Sequence, residues 1–318
     1  MLSAIIPNYN HAAYLPAALA GLLAQTRPAD EIIVIDDASG DDSVAVATAI
    51  AEHHPVIRVL RNPQNLGVVG TLNRGLREAK GDIVYCGAAD DVTRPALFER
   101  GLALLDAHPR AALFSALSDV IAEDGSPRGV FQTPMPLSAP GFIAPAEAAR
   151  LLMRDDGWFM GNTSLYRLKP LLDLGGFPAE VGSFNDGYVS RLLALRHGAC
   201  FAPEVLASWR RLEGGFAWSH AVDRARRDRQ VEVVMRRMTD PASPFPPGYA
   251  ERWRRRHVFG SERFALGEAR RHAARQGPGA WAAATLREAV LTPYLFLTLR
   301  PWDLLPVLQR RLRHLSGR

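Results

Sequence analysis

The sequence predicts an α/β protein: a mostly parallel β-sheet flanked on both faces by helices, followed by a helical C-terminal extension. Three observations predict it. Short apolar, β-branched runs alternate with segments of helical spacing through the first 90 residues. The connections between them are short, and the runs are apolar throughout rather than alternating, as in βαβ units buried on both faces. A proline-dense stretch, "PASPFPPG" (241–248), then separates this body from a tail that reads entirely as helix.

Four runs are the expected strands: "LSAIIP" (2–7), "EIIVIDD" (31–37), "VIRVLR" (56–61) and "DIVYCG" (82–87). Between them, Leu15, Leu19, Leu22 and Leu23 share one helical face, Val44, Ala47 and Ala51 a second, and Val69, Leu72 and Leu76 a third. Ser39 and Asp41 are expected N-cap residues of the second helix. Beyond Pro95, "ALFSALSDVIAEDGSPRGVF" reads as a strand and a hairpin turning at Asp124-Gly125. A helix follows near 146–154. "GNTSLYRLKPLLDLGGF" reads as a strand entering a short helix that stops at Gly175-Gly176, and "NDGYVSRLLALRHGA" as a helix opening near Asp186. The expected domains are therefore 1–240 and 241–318.

Composition is that of an ordinary globular chain: 47% hydrophobic, 22% charged, 318 residues. Two cysteines, Cys86 and Cys200, lie far apart with no metal-ligand spacing, which points to a reducing compartment and no disulfide framework. The first strand begins at Leu2, leaving no room for a leader, and "AVLTPYLFLTL" (289–299) is too short and proline-broken for a membrane span. A cytoplasmic protein, soluble or peripheral at the inner membrane face, is expected. The net charge of +5 is uneven: residues 251–318 hold 14 arginines against 5 acids, +9, which leaves 1–250 at −4.

In a parallel sheet, ligands sit beyond the carboxyl ends of the strands. Those ends read Pro7-Asn8-Tyr9-Asn10, Asp36-Asp37, Arg61-Asn62 and Ala89-Asp90-Asp91, so polar and acidic residues from four strands collect on one edge. The turn after the first strand, "PNYNHAAYL", lacks the glycines that let backbone approach a pyrophosphate, which excludes a dinucleotide fingerprint, and there is no Walker motif. A Tyr9 ring can stack on a base, although Tyr9 alone also reads as a core residue, and Asp37 can accept from a base or ribose. The adjacent Asp90 and Asp91 repel each other unless a cation lies between them and a diphosphate; Mg²⁺ or Mn²⁺ suits such a pair. Taken singly, Asp36-Asp37 and Asp90-Asp91 also read as turn or helix-entry caps, and Asp186 as an N-cap.

The motifs "SAIIPNYNHAAYL", "EIIVIDDASGDDS", "NLGVVGTLNRGLREAKGDIVYCGAADD", "GNTSLYR", "GGF" and "FNDGYVSRLLALRHG" stand in the order found in family 2 inverting glycosyltransferases, which this chain resembles over roughly residues 2–211. The resemblance implies a GT-A fold and metal-dependent transfer of one sugar, with inversion, from a nucleotide-diphosphate donor to an acceptor hydroxyl, in bacterial surface polysaccharide, lipopolysaccharide or glycoconjugate assembly. It assigns Pro7, Asn8, Tyr9, Asp37, Asn65, Gly67 and Asp90 to the donor nucleotide, Asp91 with Asp90 to the metal, and Asp186 to the catalytic base. Asn162, Arg210, Arg211 and His220 are candidates for phosphate or acceptor contacts. The chain departs from the pattern at Ala88, where many relatives carry an acid, and at Asn185, often Glu. It also lacks the Gln-x-x-Arg-Trp motif of processive synthases, which favours addition of a single sugar.

Two other classes use a similar edge. A nucleotidyltransferase would carry a basic, Gly-rich loop after the first strand, absent here; an inactive nucleotide-sugar or glycan-binding module would keep the pocket without turnover. In the tail, "DLLPVLQRRLRHL" aligns Leu304, Leu308, Leu312 and Leu315 on one helical face with Trp302, Tyr294 and Phe296 upstream. It reads equally as a packing helix and as an interfacial helix on an anionic membrane. The arginines form no nucleic-acid motif.

Overall fold

The computed structural model describes residues 1–131, 133–212, 215 and 223–297. In chain order the first unit holds β1 (Leu2–Asn8), α1 (Leu15–Leu23), β2 (Glu31–Asp36), α2 (Ser43–His53), β3 (Ile57–Arg61), α3 (Gly67–Glu78), β4 (Ile83–Cys86), β5 (Val92–Thr93) and α4 (Leu97–Ala107). There follow β6 (Leu113–Ile121), β7 (Pro127–Val130), β8 (Gly141–Ile143), α5 (Pro145–Arg154), β9 (Leu165–Arg167), α6 (Leu168–Asp173), α7 (Asn185–His197) and β10 (Ala199–Arg210).

One sheet runs β3-β2-β1-β4-β9-β6-β10-β5, with β7 on β6 and β8 on β10. The β3-β2-β1-β4 half is wholly parallel. Beyond it the sheet is mixed: β9 is antiparallel to both β4 and β6, and β10 is parallel to β6. The apolar runs are explained by burial on both faces. Leu2, Ala4 and Ile6 join Leu15, Leu19 and Leu22 of α1, Ala47 of α2 and Phe98 of α4 in one core. Ile5 and Ile35 point the other way, against α3, where a β-carbon on Gly75 would meet Ile5 and come within 3.1 Å of Ile35. Each such Leu or Ile, wholly withdrawn from water, contributes about 1.5–3 kcal/mol.

The structure moves two expectations. Ser39 does not cap α2; its hydroxyl is buried and accepts from Asn10 N (2.9 Å) and Asn8 Nδ2 (3.3 Å), while Asp41 accepts from Ser43 N (3.0 Å). The first strand-to-helix loop needs that hydroxyl more than the helix does. Asp90 and Asp91, expected at the end of β4, lie four and five residues beyond Cys86, immediately before β5, which pairs with β10 at the other end of the sheet. The segment 87–91 crosses the carboxyl edge of the sheet rather than ending a strand.

The second unit comprises residues 150–156 and 213–318; the first comprises 1–149 and 157–212. Its described helices are α8 (Arg224–Thr239), α9 (Tyr249–Gln276) and α10 (Pro278–Leu297). Asp223 caps α8 by accepting from Arg226 N (2.9 Å). Buried Arg227 reaches Glu262 of α9 at 2.8 Å, so α8 groups with the later helices and the division falls after Leu212 rather than at 241. The stretch 241–248 is the turn into α9. Tyr249 donates to Asp156 Oδ2 (2.6 Å) and Arg256 pairs with the same carboxylate at 3.5 Å, which ties 150–156 into this unit. Among the described residues no helix is long and apolar enough to cross a membrane. His220, the tail from 298 onward and the side chains of Tyr294 and Phe296 lie outside the described residues.

Candidate active site

The carboxyl ends of β1, β2 and β3 are joined by side chains rather than left as loose loops. Asn8, buried, donates through Nδ2 to Asp36 Oδ1 at 3.0 Å, and Asp36 Oδ2 accepts from Ser39 N at 3.0 Å. Asn10 Oδ1 accepts from Gly40 N at 2.9 Å. Asn10 and Ala38 hold φ of 55° and 60°, left-handed values that side chains adopt at a cost of about 1–2 kcal/mol each. Both lie in this pair of turns. Pro7 is the last residue but one of β1, and Tyr9, 48% exposed, leaves its ring in solvent. Asn8 Oδ1 is buried without a partner among the described residues.

Asp37 orders the neighbouring loop. Its Oδ1 accepts from Asn62 Nδ2 (2.6 Å) and from Leu66 N (2.8 Å). Asn65 Oδ1 accepts from Gly67 N (3.0 Å), and Gly67, at φ 73°, turns the chain into α3 as only glycine does without strain. Asn65 and Gly67 flank Leu66, whose N–H Asp37 holds.

The acid corner lies further along the edge. Asp91 is buried, and its Oδ1 accepts from Arg210 N at 2.8 Å, a main-chain donor at the end of β10. The Asn162 amide, which donates to Ser118 Oγ (3.1 Å), lies near Asp91 and favours its ionised form. Burial, then the charge of Asp90, lift the Asp91 carboxyl well above the usual carboxylate range; burial lifts Asp90 as well, against the pull of His11 and Arg210. Arg210, expected as a phosphate or acceptor contact, is engaged first with the protein itself. It is buried, with Nε donating to Asp90 O (2.8 Å) and Nη1 to Ala122 O (3.2 Å) and Glu123 O (2.7 Å). Its donors serve the protein's own carbonyls. Arg211 N extends the sheet pairing to Ile121 O (3.0 Å).

Asp186 stands at the first turn of α7, and its Oδ1 accepts from Gly187 N at 2.7 Å. Burial raises its carboxyl above the usual range, opposed by that N–H and by the charge of Arg191. Arg191 is buried one helical turn on, with its guanidinium over the rings of Phe184 (5.0 Å) and Phe159 (5.6 Å). The turn Gly161–Thr163 brings the acids together. Gly161 lies against the Asp186 carboxylate, Asn162 lies near Asp91, and Tyr85 fixes the turn by donating to Asn162 O (3.1 Å). Cys86 faces Asp186 as well; burial, then that charge, hold its thiol up and inert.

Sequence reasoning gave no role to Gly161 and Arg191, read Ser39 as a helix cap, and placed Asn62 on the edge without a partner. Arg191 had a signal: it interrupts a helix whose remaining residues from Tyr188 to Leu195 are apolar or small and buried. Gly161 had none, because its neighbour is 25 positions away in sequence.

Among the described residues no three His, Cys, Asp or Glu side chains converge on one point. A divalent cation would therefore rest on Asp90 and Asp91 and take its remaining ligands from water and from phosphates of a bound nucleotide, the ordinary arrangement for Mg²⁺ or Mn²⁺. The residues fit that group: two adjacent carboxylates, desolvated and mutually repelling, gain most from a cation between them.

Residues 3–142 match the family model described as Glycosyl transferase family 2. An uncharacterized glycosyltransferase of Nostoc is 39% identical over 99 residues, covering 31% of each chain. The amylovoran biosynthesis glycosyltransferase AmsE of Erwinia amylovora is 32% identical over 131 residues, 40% of this chain and 49% of its own. The matched stretches thus span less than half of either curated relative. The structure of a mannosyltransferase from Pyrobaculum calidifontis, in complex with GDP-Man and Mn²⁺, superposes with a TM-score of 0.61 at 22% identity, covering 100% of this chain and 87% of that one. That likeness establishes the fold as GT-A.

Proposed function

We propose that this chain, whose residues 3–142 match glycosyl transferase family 2, transfers one sugar, with inversion, from a nucleotide-diphosphate donor to an acceptor hydroxyl. One observation carries the reading. The turn Gly161–Thr163 gathers Asp91 and Asp186 at the carboxyl edge where Asn8, Tyr9, Asp37, Asn65 and Gly67 also collect. An inverting displacement needs one carboxylate to take the acceptor proton and a separate acid for the departing diphosphate, and the edge offers both places.

Tyr9 offers an exposed ring for the base, and Asn8 and Asp37 line the edge where base and ribose would sit. Asp186 is the proposed base. Its carboxyl, raised by burial, holds a proton more tightly than an exposed aspartate and so accepts one more readily from a hydroxyl. The Gly187 N–H on Oδ1 fixes its direction, and Gly161, lacking a side chain, lets Oδ2 stand where an acceptor can meet it. Asp90 and Asp91 would hold Mg²⁺ or Mn²⁺, which supplies electrostatic stabilisation of the diphosphate as it leaves. The Mn²⁺ in the Pyrobaculum enzyme and the naming of AmsE for amylovoran biosynthesis support a metal-dependent enzyme of bacterial surface-glycan assembly, acting on a glycan or lipid-linked acceptor.

The test is donor hydrolysis screened across UDP-, GDP- and dTDP-sugars with and without Mn²⁺, followed by the anomeric configuration of the product. Metal-dependent turnover of one donor with inverted configuration is expected. Turnover of none, with nucleotide still bound, would favour an inactive binding module.

A further inference from the structure

The residue at the end of β10 does more than close the sheet. Arg210 contacts the acid corner twice, through its main-chain N–H to Asp91 Oδ1 (2.8 Å) and through Nε to the carbonyl of Asp90 (2.8 Å). Nη1 continues to the carbonyls of Ala122 and Glu123, in the turn between β6 and β7. The flat of the guanidinium lies 5.2 Å from the Tyr14 ring, at the start of α1, and Tyr14 in turn donates to Glu123 Oε1 (3.0 Å). One buried side chain thereby joins the acid pair, a hairpin turn and the loop that carries Asn8 and Tyr9.

The chemistry of these contacts matters as much as their number. A cation placed beside two carboxylates ordinarily forms salt bridges with them, which occupies the oxygens that a metal or a ligand would use. Here the Nε and Nη1 hydrogens go to carbonyl oxygens. The two acids are approached by a positive charge and by one N–H, while Asp90 is fixed through its main chain and not its carboxylate. Such an arrangement sets the direction of ligand groups without consuming them, as outer partners of metal ligands do.

We propose that Arg210 is a positioning residue: a strap that fixes the Asp90–Asp91 segment and the Asp91 carboxylate to receive a divalent cation with its nucleotide diphosphate. The proposal rests on the glycosyl-transfer reading of the same edge. It assigns to Arg210 no contact with the substrate. Tyr14 and Glu123 act through it.

The experiment measures Mn²⁺ affinity directly, by the electron paramagnetic resonance of free Mn²⁺ titrated with full-length protein in the presence of UDP or GDP. Arg210→Lys keeps the charge but cannot span the three carbonyls; its Mn²⁺ affinity should fall about 10–100-fold. Its turnover at saturating Mn²⁺ should return to within a few-fold of wild type. Tyr14→Phe, which keeps the ring and removes the bond to Glu123, should fold normally and weaken Mn²⁺ about 2–10-fold. A residue that only stabilises the fold would lower the melting temperature and leave Mn²⁺ affinity of the folded protein unchanged. That result in Arg210→Lys, or in Tyr14→Phe if the lysine variant does not fold, overturns the proposal while wild-type Mn²⁺ binding stands. Absence of Mn²⁺-dependent nucleotide binding in the wild type would instead overturn the glycosyl-transfer reading, and this one with it.

Discussion

Replacing Gly161 by alanine tests the geometry of the proposed base with a single methyl group. A β-carbon built there falls well inside 3.0 Å of Asp186 Oδ2 and 3.4 Å from its Cγ, closer to the oxygen than real side chains come. The backbone of Gly161 is not left-handed, so alanine meets no conformational penalty and the effect is one of contact alone. Something must retreat by roughly 1 Å. The Gly161 main chain is pinned, since Ser164 N donates to its carbonyl (3.2 Å) and Tyr85 holds the next one. The carboxylate is the softer partner, held through Oδ1 by Gly187 N.

A displacement of that size at a reacting group costs about 10²-fold in rate. Overpacking costs about 1–3 kcal/mol, or some 2–4 °C of melting temperature for each kcal/mol in a domain of this size. Gly161→Ala should therefore turn over donor about 10²-fold more slowly, with nucleotide affinity within a few-fold of wild type. The assays are donor hydrolysis, calorimetric titration of UDP or GDP with Mn²⁺, and a thermal melt. Gly260→Ala, in α9 where the added carbon meets open space, is the control and should melt no lower than wild type. If Gly161→Ala shows the lowered melt yet keeps more than a third of wild-type turnover, the Asp186 carboxylate is not where the reaction needs it.

Asp186→Asn should leave nucleotide affinity unchanged and lower turnover by about 10²–10⁴. Because burial raises the Asp186 carboxyl and the base must be ionised, wild-type activity should climb with pH through a limb lying above the ordinary aspartate range, and a limb at or below that range would contradict the assignment. Asp91→Asn should remove Mn²⁺-dependent nucleotide binding while keeping the acceptor for Arg210 N. Without metal at pH 7 the same variant should melt above wild type by roughly 2–4 °C, and a lower melt would show that the carboxylate is structurally useful without a cation.

The parallel half of the sheet was legible because its strands are apolar on both faces, which few helical segments imitate. β10 was not. Its sequence "ACFAPEVLASWR" carries Pro203 and Glu204 in the middle, residues that a strand tolerates only at an irregularity, and the pairing with β6 shifts register there, between Ala202 and Val205. The position of Asp90 and Asp91 was misread for a related reason. Nothing local in "GAADD" distinguishes a strand end from a segment that crosses the sheet, and only the β5–β10 pairing decides it. Asp186 was identified by motif order alone. The residues that give it its character, Gly161 and Arg191, belong to packing that no single stretch displays.

The three acids share one electrostatic problem, and its sign explains why the site is built as it is. Each has its carboxyl raised by burial, so the folded chain holds protons that the unfolded chain has released. The stability this confers is complete below the unfolded value, about pH 3.9, and is lost as pH rises through the raised folded values. At neutral pH the metal-free site works against the fold. A core of this size tolerates that cost, but the acids would relax it by turning outward if they were free to move. The contacts around them oppose such relaxation: Arg210 N on Asp91, Arg210 Nε on the Asp90 carbonyl, and Gly187 N on Asp186. Each fixes a direction while leaving carboxylate oxygen for a ligand. Arg210, a residue that sequence reading assigned to the substrate, thus serves with Gly187 N to keep the acids in an unfavourable place, where a cation and an acceptor hydroxyl have most to offer them.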